Sequence, residues 1–125
     1  MIRIFLLLAC MMGVCGVGLA AAAAHGTPTA GLESAAYLLL VHATAMLGAA
    51  SLAAQRLLWR PFGLVAMTCF VAGGALFGGD IAMRAFAGQR LFPMAAPTGG
   101  TLLLIGWVVL AAAVLAAMAA APHNR

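Results

Sequence analysis

Apolar and small residues fill four long stretches of the chain, and polar residues gather in the gaps between them. The stretches run over about residues 4–24, 34–54, 61–87 and 101–121. About 20 apolar residues in an α-helix, rising ~1.5 Å each, cross the ~30 Å hydrocarbon layer of a bilayer. Backbone N–H and C=O groups meet no water there, so each stretch is predicted to be an α-helix that satisfies its own backbone. The pattern predicts an all-α fold: an integral membrane four-helix bundle in which residues 1–125 form a single transmembrane domain.

The gaps carry the chain-turning residues. HGTPTAGLE (25–33) separates the first two stretches, and Thr27-Pro28 within it offers a cap for a short helix. QRLLWRP (55–61) closes the second stretch. Its Arg56, Trp59 and Arg60 combine cationic heads with an indole, which suits a membrane edge. Pro61 opens the third stretch and Pro122 stops the fourth. GQRLFPMAAPTGG (88–100) holds Pro93, Pro97 and the Gly99-Gly100 pair. It is expected to be a non-helical loop that lies on the membrane surface or folds back into the bundle.

Composition agrees with this pattern. The chain is 66% hydrophobic and 6% charged, against about 25% charged residues in soluble domains. Too few polar groups exist to wet a globule of this size. The net charge of +4 comes from six Arg against Glu33 and Asp80. Those arginines stand singly near the ends of apolar runs, so they read as orientation signals, and nucleic acid is not an expected partner. Cys10, Cys15 and Cys69 lie inside apolar runs, with no CxxC, and are expected to be small buried hydrophobes.

The first stretch has the outline of a secretory signal: one Arg, an apolar run, then small residues. It is also long enough to span a bilayer, and it is expected to remain as a membrane helix. Four spans put both termini on one side. That side carries Arg3, Arg56, Arg60 and Arg125, against Arg84 and Arg90 on the other. The arginine excess predicts cytoplasmic termini.

Counting along helices of this orientation places His42 ~12 Å and Asp80 ~10 Å below the outer surface. Trp107 falls at a similar depth, and His25, Glu33 and Arg84 fall at the outer rim. His25, Glu33, His42, Asp80, Arg84 and Trp107 thus form a candidate intramembrane polar cluster, while the inner half is almost purely apolar. Asp80 and Arg84 are four apart and share one helix face, with the acid first. A charged side chain deep in a membrane helix costs at least ~2.5 kcal/mol. An arginine able to reach the headgroups makes the acid tolerable.

Three roles for Asp80 are open. It can clamp helices by accepting hydrogen bonds from His42 or from amides of the 94–100 loop. It can act with His42 as a proton or ion relay. It can join His25 and His42 around a metal ion. Gly74 and Gly78 form a GxxxG that serves helix packing, either within the chain or across a homodimer.

These residues resemble a family. AHG (24–26), HATAML (42–47), LFGGD (76–80) and APTGG (96–100) followed by Gly106-Trp107 stand in the order found in the domain-of-unknown-function 423 family, related to the transmembrane-protein-256-like proteins. The loop motif is carried by Pro97, Gly99 and Gly100. The family's serines near the third motif are Gly78 and Asp80 here, its Thr before the Pro is Ala96, and its Tyr before the second histidine is displaced to Tyr37. The resemblance implies a small four-helix protein of the bacterial inner membrane, and it implies no particular chemistry.

No nucleophile–base pair, phosphate-binding glycine loop or soluble domain is visible, so catalysis and a cofactor are not expected. The expected function is a structural or accessory component of a larger, possibly respiratory, membrane complex. Its partners would be the lipid bilayer and another membrane protein or a second copy. The alternatives are an ion- or proton-coupled carrier built on Asp80 and His42, and a membrane enzyme acting on lipid or quinone.

Overall fold

The computed structural model describes residues 1–26 and 30–120. They form four helices: α1 (Ile2–His25), α2 (Leu32–Ala54), α3 (Arg60–Ala87) and α4 (Ala95–Ala120). All four are long and apolar enough to cross a membrane. The Thr27-Pro28 cap and the stop at Pro122 lie outside the described residues.

Local chemistry sets the helix ends. Gly31 at φ 90° leads into α2, and Gly88 at φ 68° ends α3. Both conformations are left-handed, where glycine has no Cβ to clash. Pro61 sits in the first turn of α3, where its missing N–H has no partner to lose. The end of α2 is different. Arg56 takes the left-handed position, at φ 61°. Its N–H bonds Ala53 O at 3.2 Å, and the Leu57 N–H bonds Leu52 O at 3.0 Å. This pair of bonds is a Schellman closure with arginine in glycine's place.

The expected loop 88–100 is corrected at its end. Helix α4 begins at Ala95, so Ala96-Pro97-Thr98-Gly99-Gly100 form its first turns. Pro97 is compatible with this because it falls within the first turn, where N–H groups have no intrahelical acceptor. The Thr98 N–H then bonds Met94 O at 2.9 Å.

The helices run up and down in sequence, packing most closely as α1 on α2 and α3 on α4, with α2 on α3 joining the two pairs. Apolar layers follow the bundle axis. At one end Ala49, Ala50, Leu58, Met67 and Ala113 are joined by Ile2 and Phe5. Ala9, Met12, Leu39, Met46, Phe70 and Leu103 fill the middle. Leu32, Ala35 and Ile81 close the other end. The first and last described residues therefore share one end.

Small residues permit the tight pairs. A Cβ on Gly99 would stand 2.5 Å from the Phe77 backbone nitrogen and 2.8 Å from Gly73 O. Helices α3 and α4 thus touch backbone to backbone, as small residues allow in membrane bundles. The Gly74–Gly78 face is filled from within the chain, by Met12 and Leu39. The cysteines correct the expectation of burial: Cys10 and Cys15 are exposed on the bundle surface and Cys69 is partly so, all three as free thiols.

Candidate functional site

Among the described residues, the buried polar side chains are His42 and Asp80. Each organises a separate set of hydrogen bonds.

His42 lies on the inward face of α2, flanked by the buried Leu39, Ala43 and Met46 at helical spacing. The Trp107 indole N–H donates to His42 Nε2 at 3.1 Å. An indole nitrogen only donates, so Nε2 accepts. The ring hydrogen is then on Nδ1, which stands 2.7 Å from Leu38 O and donates to it. Both ring nitrogens are engaged by the neutral imidazole. Phe70 of α3 completes the cluster edge-on, with ring centroids 5.2 Å from His42 and 5.3 Å from Trp107. Gly106 makes the room, since a Cβ there would meet the Phe70 ring at 2.6 Å. Three helices thus meet through one imidazole.

Asp80 is wholly buried on α3. Its Oδ2 pairs with the Arg84 guanidinium one turn along the helix. Its Oδ1 accepts the Leu91 backbone N–H at 2.9 Å. Both oxygens are therefore occupied, one by a charge and one by the chain segment between α3 and α4. The Arg84 side chain is 39% exposed, so its head extends from the buried acid to the bundle surface.

The expected single polar cluster is therefore resolved into parts. Phe70, which touches His42, and Asp80 are ten residues apart on α3, about 15 Å of helix rise. The hydrogen-bond partner of His42 is Trp107, and the amide serving Asp80 is that of Leu91, not one from 94–100. With α4 starting at Ala95, Trp107 is twelve residues into its helix, level with His42. His25 and Glu33 stand exposed at the rim, where Glu33 accepts the Tyr37 hydroxyl at 3.3 Å. Among the described residues no three His, Cys, Asp or Glu side chains gather as a metal would need, so His25, His42 and Asp80 form no such triad.

Phe70, Leu38 and Leu91 were not legible as site residues. Phe70 is one apolar residue among many in α3, and Leu38 and Leu91 contribute only backbone atoms. Chemically, the two sets fasten the fold. One ties α2 to α4 past α3, and the other ties α3 to the segment leading into α4. Among the described residues no buried side-chain nitrogen or oxygen lacks a partner.

A family model described as protein of unknown function (DUF423) matches residues 19–100. The match runs from the last turns of α1 through α2 and α3 to Gly100 in the first turns of α4. It includes His42, Asp80, Arg84 and the Pro97-Thr98-Gly99-Gly100 motif, and it ends before Trp107. No curated protein and no solved structure matches the chain. The match covers well over half of the sequence, and the chain belongs to the DUF423 family of proteins of unknown function.

Proposed function

We propose that the protein is a multi-pass protein of the bacterial inner membrane, with both termini cytoplasmic, and that it serves as a non-catalytic structural or accessory component of a larger membrane complex. One observation carries this reading. The buried ionisable groups are fully used inside the chain: His42 by Trp107 and Leu38, Asp80 by Arg84 and Leu91. A carrier needs a group that is free to take up and release its cargo. About 15 Å of helix rise separates the level of His42 from that of Asp80. The polar groups act as fasteners between helices, and the apolar surface is left to lipid and to neighbouring proteins.

The test is purification from the native membrane in a gentle detergent, with identification of what co-purifies. A stoichiometric membrane-protein partner is the expected result. The opposing result is a proton-dependent flux in vesicles that Asp80→Asn abolishes while the amount of folded protein stays unchanged. That outcome would make Asp80 a working group of a carrier.

A further inference from the structure

We propose that the end of the bundle carrying Arg56 and Arg60 is a binding site for the phosphate of an anionic diacyl phospholipid. The inference rests on the membrane placement above, but not on the accessory role.

A cavity of about 520 Å³ opens where the ends of all four helices converge. Ile2 of α1, Ala53 of α2 and Ala117 of α4 give it apolar walls. Arg56, Trp59 and Arg60 supply its polar side. Apolar walls beneath two guanidiniums and an indole match the acyl chains, phosphate and glycerol region of a phospholipid in turn.

No carboxylate side chain of this chain stands at this cavity. The sequence has two acidic residues, Glu33 and Asp80. Glu33 is in the first turn of α2, whereas Arg56 lies two residues past that helix's last residue. Asp80 is twenty residues along α3 from Arg60, about 30 Å of helix rise, and it is already paired with Arg84. No carboxylate side chain can reach either arginine of the cavity.

The backbone gives an independent argument. Arg56 occupies the left-handed position of the α2 closure, at φ 61°. Residues with a Cβ are disfavoured there, and glycine is the ordinary choice. The chain has 15 glycines and places arginine at this point. Strain that the fold retains is a pointer to function. Here the turn directs the chain into Leu58, which is buried, and sets Arg56 beside Arg60 on the same cavity. The N-terminus of α3, whose cap residue Trp59 makes no side-chain bond to it, adds partial positive charge to the same spot.

The experiment uses the full-length protein in a mild nonionic detergent, with phosphatidylglycerol or phosphatidylcholine added and retained lipid counted by native mass spectrometry. Phosphatidylglycerol is expected to be retained with about 30-fold preference, the scale two basic side chains confer at a membrane surface. Arg56→Gly combined with Arg60→Gln should abolish the preference. Arg56→Gly alone should weaken it while melting no lower than the parent, because glycine accepts the left-handed turn. Arg90→Gln, at the far end of the bundle, should leave it intact. Equal retention of both lipids, a preference that survives the double substitution, or one lost in Arg90→Gln would overturn the proposal. So would full competition by millimolar inorganic phosphate, which would make the ligand a free anion. Failure of the membrane placement is read separately, as release of the protein from membranes by alkaline carbonate.

Discussion

Trp107 donates its indole N–H to His42 across 65 positions of sequence, joining α4 to α2 at 3.1 Å. These two helices have little backbone contact otherwise. The bond therefore adds a polar tie between the α1–α2 pair and the α3–α4 pair, beside the packing of α2 on α3. Its strength can be isolated by a double-mutant cycle over His42→Leu and Trp107→Phe, read by unfolding in detergent. Polar interhelical pairs in membrane bundles couple by ~0.6 kcal/mol on average and up to ~1.7 kcal/mol. A value toward the upper end is expected, because both ring nitrogens of His42 are engaged. Additive single substitutions would mean that the bond carries no specificity.

Asp80 and Arg84 should respond unequally to substitution. Asp80→Asn keeps an oxygen for the Leu91 amide and removes the charge, so membrane abundance and melting temperature should change little. Arg84→Ala leaves a buried carboxylate without its counter-ion, which is the more damaging half of such a pair to lose. Melting temperatures and detergent-extractable yield should fall in the order parent, Asp80→Asn, Arg84→Ala. Asp80→Asn placed in the Arg84→Ala background should recover most of the loss.

Gly99 tests the contact between α3 and α4. An added methyl would meet backbone atoms of Phe77 and Gly73, which cannot swing aside. Gly99→Ala should destabilise by about 1–3 kcal/mol, the usual cost of overpacking. Gly106→Ala meets the buried Phe70 ring at 2.6 Å and Ala66 O at 3.3 Å, so it should also destabilise while disturbing the His42 cluster. Gly48→Ala, with nothing within 4 Å of the added atom, is the matched control and should be neutral or better. Thermal melting of the three variants gives the ranking.

Helix α1 packs Ala9 and Met12 into the middle of the bundle, and Leu40 sits against Gly16. If α1 stays with the rest of the protein, a C-terminally tagged protein purified from membranes should show the intact mass, residues 1–24 included. A mass lacking them would return α1 to the status of a cleaved leader.

Orientation is open to labelling. In a background with Cys10, Cys15 and Cys69 replaced by Ala, Gln89→Cys should react with an impermeant maleimide in intact cells. Gln55→Cys should react only after the membrane is broken. The reverse pattern would invert the proposed topology.

The architecture was legible in the sequence for a simple reason. In lipid the cost of an unpaired backbone group is so high that a run of 20 apolar residues has one main solution. Helices α2 and α3 begin and end within about two residues of the sequence reading. The start of α4 is not legible because AAPTGG looks like a turn, whereas its proline falls in the one stretch of a helix where proline does no harm. The pairing of polar groups was harder to read. Depth follows from counting residues, but which side chains face each other depends on how each helix is rotated. Helices that are apolar on every side give no stripe from which to read that rotation. The sequence therefore leaves His42 as one of several possible partners of Asp80, whereas the rotation of α2 and α4 gives it to Trp107. The Arg84–Asp80 pair was readable because it lies within one helix, where spacing alone fixes the face.

The Leu91 amide gives the buried acid of α3 a reach beyond its own helix. By holding that N–H at 2.9 Å, Asp80 pins the segment between α3 and α4, so a change in an interior carboxylate registers as slack in a surface turn. Limited proteolysis near Arg90, or deuterium uptake at the Leu91 amide, becomes a gauge of a group that no reagent in the water phase can touch directly.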